Sequence, residues 1–202
     1  MGRKHRDTSK KRASILEAAT QAFINEGYET CSMDRIAEVA GASKRTVYNH
    51  FPSKELLFQA VLESFIDEIM ALKQIPFDPD HSLESQLARF ADAKLEITRN
   101  PTWLGMMKVI AGVFISNPEL VKEMTAQAQT QDKHLVTWLE KAHQAGLLHV
   151  PNPGIAAEVF WAMVGGAFFW PAIFMDACPE QNHLELRDEM IQVFLSRYRA
   201  QN

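Results

Sequence analysis

Residues 32–51 read SMDRIAEVAGASKRTVYNHF, a stretch that has the spacing of a helix-turn-helix. Ser32 and Ser43 each precede a short amphipathic segment, as the N-cap residues of helices do. Gly41 lies between the two segments, where a tight turn favours a positive φ angle. Ala37 is small enough to let two helices cross closely. We therefore predict two short helices that pack against each other through this turn.

The second predicted helix has an inner and an outer face. Val47 faces inward, as Ile36 does from the first helix. The outer face carries the side chains Lys44, Arg45, Thr46, Tyr48, Asn49 and His50. In the major groove of DNA, Arg or Lys pairs with guanine and Asn with adenine. The pattern thus predicts a surface that reads double-stranded DNA.

The charges of the chain support this interpretation. Through Lys54 there are ten Lys and Arg against six acids, a net charge of +4, whereas the rest of the chain carries -8. Lys54 also adds a charge at the start of the next helix, where backbone N–H groups attract a phosphate. The basic arm from Arg3 to Arg12 is expected to follow the DNA backbone or to enter a minor groove. We expect only the N-terminal part to meet a polyanion.

Apolar residues recur at three- and four-residue spacing along most of the chain, which predicts an all-α fold. We expect a three-helix helix-turn-helix domain in its N-terminal part and a larger helical domain in its C-terminal part. Pro76 and Pro79 mark the boundary. The predicted domains are the arm and helix-turn-helix (1–52), a connecting helix (53–76) and the C-terminal domain (77–202). Helices are expected from about Lys10 to Glu26, from Ser32 to Val39, from Ser43 to His50, from Ser53 to about Ile75, and at about 82–99, 102–116, 118–145, 154–176 and 180–200.

The stretch from Ile15 to Leu62 resembles the DNA-binding domain of the TetR family of repressors. The resemblance lies in the Ala-rich first helix that ends in Phe23 and Gly27-Tyr28, and in Ile36-Ala37, Ala40-Gly41, Thr46-Val47-Tyr48, His50-Phe51 and Ser53-Lys54-Glu55-Leu56. It implies a homodimer, mostly repressing, whose C-terminal domain holds a small-molecule pocket and the dimer interface. By matching position, the DNA-contacting roles fall on Lys44, Arg45, Thr46, Tyr48, Asn49, His50 and Lys54, with Ser32, Arg35 and Ser43 as backbone contacts.

Val159 to Met175 form an uncharged run whose length is at the lower edge of what spans a membrane. Gly165-Gly166 and Pro171 would weaken a spanning helix. We favour a helix buried partly by its own domain and partly by a second subunit. The resemblance also favours a four-helix bundle across a dimer. The predicted interface residues are Phe169, Pro171, Ile173, Leu186, Met190 and Phe194.

Aromatic and Met side chains are frequent in the C-terminal part. They can be ordinary core or line an adaptable pocket for a flat or oily ligand. For each of these side chains taken alone, we favour a place in the ordinary core. For the set as a whole, a ligand pocket is our hypothesis. The candidate ligand-binding residues are Trp103, Met106, Met107, Ile110, Phe114, Trp138, Phe160, Met163 and Phe168.

Other classes of function have less support. No nucleotide loop, nucleophile elbow or catalytic arrangement is found, the histidines have no metal-ligand spacing, and the two cysteines, Cys31 and Cys178, suggest neither a disulfide nor a zinc site. We expect no enzyme activity, no cofactor, no metal and no membrane. The N-terminus lacks the apolar run of a signal peptide, so we expect a cytoplasmic protein.

The sequence therefore predicts a DNA-binding transcriptional regulator. Our hypothesis is a repressor that binds a palindromic operator as a homodimer, with recognition helices one DNA turn apart, and that a small, largely apolar effector releases. An all-helical enzyme, a membrane protein and a nonspecific DNA-packaging protein are the alternatives.

Overall fold

The computed structural model describes residues 2–71, 75–117, 119, 133–175 and 182–200, with the side chains of all of these except 2–7, 66–71 and 133. The chain forms two compact units. The first comprises Met1–Ile69 and Gly105–Gln127, and the second comprises Met70–Leu104 and Ala128–Asn202. The predicted C-terminal domain, which starts at residue 77, includes 105–117, whereas contacts group these residues with the first unit.

The all-α prediction is confirmed: the described residues contain helices and no strand beyond one isolated bridge, between Leu148 and Arg199. The helices are α1 (Gly2–Glu26), α2 (Met33–Val39), α3 (Lys44–His50), α4 (Lys54–Ala71), α5 (Leu83–Thr98), α6 (Pro101–Ser116), α7 (Lys133–Gln144), α8 (Pro153–Val164), a π-helical segment (Gly165–Phe169), α9 (Trp170–Phe174) and α10 (His183–Tyr198).

Most predicted helix ends agree with the structure to within a few residues. One difference is α1, which begins at Gly2 and not near Lys10, so the basic arm is helical. Another is α4, which is described to Ala71, while Ile75 lies outside any helix. The predicted helix at 118–145 is described only as α7, and residues 118 and 120–132 lie outside the described part.

Local signals in the sequence account for the N-terminal ends of α5 and α8. Ser82 caps α5 by accepting a hydrogen bond from the backbone N–H of Ser85 at 3.2 Å. Asn152 does the same for α8 at Ile155, with Pro153 in the first turn.

An aromatic cluster fills the core of the first unit. The Phe58 ring packs edge-on against Phe23 at 5.5 Å and lies 4.5 Å from Tyr28. On α6, a Cβ added to Gly105 would lie 3.0 Å from a methyl carbon of Ile24. The absence of a side chain at Gly105 is therefore what permits α6 to approach α1 this closely.

The core of the second unit contains a buried amide whose hydrogen-bonding groups are all used. Gln86 accepts from the indole N–H of Trp138 at 3.0 Å and from the backbone N–H of Asp78 at 2.9 Å. Its amide nitrogen donates to the carbonyls of Asp78 at 2.7 Å and His81 at 2.9 Å. One side chain thus ties α5, α7 and the preceding loop together.

The π-helical segment continues α8 into α9. Its wider turn is marked by the N–H of Trp170, which donates to the carbonyl of Gly165 five residues earlier. Buried residues recur at every fourth position from Ala156 to Ala172, and an α-helix would rotate them by about 40° per step. The π turn counteracts this drift, so that Phe168 remains buried while Trp170 is exposed.

Among the described residues, one helical stretch, Pro153–Phe174, is long and apolar enough to cross a membrane by length and composition alone. Core helices of soluble proteins meet the same criterion, so it is weak evidence for a membrane span.

We expect Gln86→Leu to lower the free energy of unfolding by about 2 to 3 kcal/mol, because the indole N–H and the backbone groups of the loop lose buried partners. Urea denaturation followed by tryptophan fluorescence measures the change. Arg89→Ala, an exposed substitution on the same helix, is the control and should alter stability by less than about 0.5 kcal/mol. Equal effects of the two variants would contradict the role assigned to Gln86.

Candidate nucleic-acid interface

The turn between α2 and α3 has the geometry that the sequence predicts. Gly41 has a φ angle of +55° and donates its N–H to the carbonyl of Glu38 at 3.1 Å. A residue with a Cβ would be strained at this angle. Ile36, Ala37 and Val47 are all buried. The turn and these side chains fix α3 against α2.

Serine hydroxyls begin both helices. Ser32 accepts from the N–H of Arg35 at 3.2 Å, and Ser43 accepts from the N–H of Thr46 at 3.1 Å. The Ser43 and Thr46 hydroxyls also share a hydrogen bond of 2.8 Å. Ser32, Ser43 and Thr46 therefore have structural roles; whether they also contact a DNA backbone stays a prediction.

The face of α3 opposite Val47 is open to solvent. Lys44, Arg45, Tyr48 and Asn49 are exposed, Tyr48 to 47%. His50 is partly exposed. Because Val47 alone faces the core, α3 presents the candidate base-reading side chains outward together.

Two candidate DNA-contacting cations are engaged in ion pairs. The Lys44 ammonium contacts the Asp34 carboxylate. Arg35 bonds to Glu26 at 2.6 Å and to Glu38 at 2.8 Å, and these hydrogen bonds raise the pKa of its guanidinium. Exposed pairs of this kind contribute little to stability, so phosphates can compete for these cations.

Lys54 is held differently. Its ammonium donates to the backbone carbonyls of Tyr28 at 2.8 Å and Glu29 at 3.3 Å, and lies 4.4 Å from the centre of the Tyr28 ring. Burial and the nearby Glu55 carboxylate raise the pKa of Tyr28 to about 12, so this phenol stays neutral. Lys54 thus ties α4 to the chain that follows α1, a role that sequence reasoning missed because the two segments are far apart in sequence.

The helical arm contacts the turn before α3 and the residue that follows α3. The guanidinium of Arg12 lies 5.1 Å from the centre of the Phe51 ring, and the Lys11 ammonium lies 3.5 Å from the carbonyl oxygen of Gly41. These contacts orient the base of the arm. The side chains of Arg3, Lys4 and Arg6 lie outside the described residues.

The candidate ligand-binding residues do not form one described cluster. Met106, Met107, Ile110 and Phe114 belong to the first unit, and Phe114 is exposed. The other five belong to the second unit, where Trp138, Phe160 and Phe168 are fully buried core residues. Trp103 is also buried, and Met163 is partly buried.

The predicted dimer residues also divide. Phe194 and Ile173 are buried inside the subunit, Phe194 against the Phe160 ring at 5.4 Å, so here they are core residues. Phe169, Pro171 and Met190 are partly buried, and Leu186 is exposed. The large apolar side chains exposed on the same helices are Ile155, Val159, Trp170, Phe174, Leu184, Leu186 and Val193. Their spacing alone could not separate the inner face from the outer, because these helices are apolar on several sides.

Among the residues that the structure describes, no group of three or more His, Cys, Asp or Glu side chains could hold a metal ion.

Two family models match the chain. Residues 15–61 match bacterial regulatory proteins of the tetR family, and residues 85–200 match the C-terminal domain of AefR-like transcriptional repressors. The uncharacterized HTH-type transcriptional regulator YhgD of Bacillus subtilis is 30% identical over 91% of this chain and 92% of its own length.

Solved structures give the same result for the fold. A TetR family transcriptional regulator from Pseudomonas syringae pv. tomato aligns with a TM-score of 0.75 and 32% identity over 94% of this chain and 97% of its own. The flavonoid-responsive regulator FrrA aligns with a TM-score of 0.74 and 27% identity, over 96% of this chain and 100% of its own.

We expect Lys54→Met to lower the free energy of unfolding by about 1 to 3 kcal/mol, because it removes a charged donor from two carbonyls while keeping a chain of similar length. Lys44→Met is the matched control and should change stability by no more than about 1 kcal/mol, since its ion pair is exposed. Thermal and urea denaturation compare the two. A larger loss for Lys44→Met would refute this distinction.

Proposed function

The chain belongs to the TetR family of DNA-binding transcriptional regulators, and we propose that it is a repressor that binds a palindromic operator as a homodimer and is released by a small ligand. The observation that carries this proposal is the outer face of α3. Its capped start, its buried Val47 and its exposed Arg45, Tyr48 and Asn49 form a rigid reading surface.

On this helix we assign base reading to Arg45 and Asn49. Both are exposed, and Arg to guanine and Asn to adenine are the pairings that the major groove favours. Lys44, also exposed, contacts phosphate after its ion pair with Asp34 opens. Phosphate contacts set the register on the duplex, whereas base contacts set the sequence.

An apolar surface on the second unit supports the homodimer. Ile155 and Val159 on α8, Trp170 and Phe174 on α9 and Val193 on α10 are exposed in a single subunit. The rings of Trp170 and Phe174 stack at 5.6 Å, which gives the surface a flat aromatic patch. We infer that these exposed side chains form one apolar surface, and a surface of this kind favours an interaction site. A second copy of the same surface would cover it with two-fold symmetry. A palindromic operator requires the two recognition helices of such a dimer to lie about 34 Å apart, one DNA turn.

Repression and ligand release are supported by the relatives. The C-terminal match is to repressors described as AefR-like, and FrrA is described as flavonoid-responsive. A ligand releases the operator only if it binds the DNA-free conformation more tightly than the DNA-bound one. We therefore propose that binding of the effector lowers the affinity for the operator, and that binding of the operator lowers the affinity for the effector. We also propose a cytoplasmic location, because the DNA that such a regulator binds lies there.

We expect Arg45→Ala to weaken operator binding roughly tenfold to hundredfold and to relax the preference at one base pair of each half-site. The operator is first selected from genomic fragments, and fluorescence anisotropy then measures the affinity at fixed salt. Arg89→Ala removes an exposed arginine from the second unit and should leave binding unchanged. Unaltered affinity and preference in Arg45→Ala would exclude α3 as the reading helix, and wild-type binding without sequence preference would indicate a packaging protein.

We expect Val193→Asp to convert the dimer to a monomer of 22.9 kDa, because it places a charge on the apolar surface between subunits. Light scattering coupled to size exclusion measures the mass. Ile115→Asp also charges an exposed apolar residue, but on α6 in the first unit, and should leave the dimer intact. A dimer that survives Val193→Asp and dissociates with Ile115→Asp would refute the assigned interface.

A further inference from the structure

Two buried indole nitrogens lack a hydrogen-bond acceptor within the described part of the chain, Nε1 of Trp103 and Nε1 of Trp161. A buried donor without an acceptor is uncommon, because it costs about 1 to 3 kcal/mol of stability. The chain avoids this cost at Trp138, whose indole N–H donates to Gln86. The two unsatisfied donors therefore need an explanation that the packing of the core does not supply.

Both indoles belong to one cluster in the second unit, which we call the Lys94 cluster: Lys94, Trp103, Trp161 and Phe169. The Lys94 ammonium lies 5.9 Å from the ring centre of Trp161 and 5.5 Å from that of Phe169. The Phe169 ring in turn lies 5.5 Å from that of Trp103, nearly edge-on. Lys94 and Phe169 thus link the two indole rings that carry the unsatisfied donors.

Four elements contribute one residue each to the Lys94 cluster. Lys94 is on α5, Trp103 on α6, Trp161 on α8, and Phe169 is the last residue of the π-helical segment. Trp103 is only 4% exposed, whereas the Trp161 ring is partly exposed although its nitrogen is buried. π-Helical turns are frequent at functional sites. Here the π turn determines the direction in which Phe169 leaves the helix.

We propose that the Lys94 cluster binds the effector, and that the effector is a flat aromatic compound bearing a carboxylate. The carboxylate oxygens accept from the two indole N–H groups, and its charge is attracted by the Lys94 ammonium. The rings of Trp103, Trp161 and Phe169 contact its aromatic body. This inference rests on the proposed ligand-controlled function and narrows its largely apolar ligand to an aromatic acid.

The chemistry of the donors excludes simpler ligands. A hydrocarbon would leave both indole N–H groups unsatisfied, and an organic cation would be repelled by Lys94. A neutral amide could satisfy the donors but would gain nothing from the ammonium. Hydrogen bonds to a charged acceptor are about twice as strong as those to a neutral one, so an anionic oxygen is the acceptor that this set of groups favours.

The test uses the full-length protein and three probes that share one ring system: naphthoate, naphthamide and methylnaphthalene, with benzoate as a smaller acid. Calorimetry and quenching of tryptophan fluorescence give the affinities. Naphthoate should bind at least about tenfold more tightly than naphthamide, with methylnaphthalene weakest. If neither naphthoate nor benzoate binds with a dissociation constant below a millimolar, the proposal is overturned.

Variants assign the interaction to the cluster. Lys94→Met should abolish the preference for naphthoate over naphthamide, and Trp161→Phe should weaken naphthoate about tenfold by removing one donor while keeping a ring. Lys141→Met, at an exposed lysine on α7 outside the cluster, should change nothing. A preference that persists in Lys94→Met, or an equal effect of Lys141→Met, would overturn the proposal.

Stability provides a measurement that needs no ligand. Trp103→Phe and Trp138→Phe remove similar volume from buried positions, but only Trp138 loses a hydrogen bond. Trp138→Phe should therefore lower the melting temperature more than Trp103→Phe does, and the opposite order would contradict the unsatisfied state of Trp103.

The test of ligand binding can be separated from the test of operator binding. Operator affinity is measured first without any probe, and this value tests the regulator alone. Addition of naphthoate should then release the operator from the wild-type protein but not from Lys94→Met. A protein that binds its operator and ignores every aromatic acid would keep the proposed DNA-binding function and lose this inference.

Discussion

The burial of Val47 is the constraint on which the reading surface depends. A helix of seven residues has little stability of its own, because the cost of nucleating a helix is recovered only over a longer stretch. Packing of Val47 into the core of the first unit supplies what α3 lacks. Burial on one side also fixes the rotation of the helix, so Arg45, Tyr48 and Asn49 must face solvent.

The cations around α3 divide into two groups with different physical roles. Lys44 and Arg35 pair with exposed carboxylates, and water screens these interactions, so the side chains remain available to a polyanion. Lys54 and Arg12 instead contact the backbone carbonyls and aromatic rings of their own unit. A net positive charge in the sequence therefore does not translate into an equal number of cations available to DNA.

The second unit shows two solutions for a buried indole. Trp138 is satisfied by Gln86, which also holds the loop before α5 and makes that part of the unit a closed network. The indole N–H groups of Trp103 and Trp161, in the Lys94 cluster, have no acceptor within the described part of the chain. A buried indole N–H with an acceptor is more stable than one without. We therefore assign the two donors that lack an acceptor to ligand binding, a function for which some stability is lost.

By itself, the sequence determined the features that arise between residues close together in the chain. The caps at Ser32 and Ser43 and the turn at Gly41 were predictable because each depends on hydrogen bonds or a φ angle within a few residues. Only the tertiary structure decided which side of each long apolar helix is buried. It placed Phe194 in the core and Val193 outside, and it tied Lys54 to the carbonyls that follow α1. It also left Trp103 without an acceptor among the described residues. The physical reason is that the burial of a side chain, and the partners of a buried polar atom, depend on which distant segments pack together. When a helix is apolar on several sides, the spacing of its apolar residues does not specify which side packs against those segments.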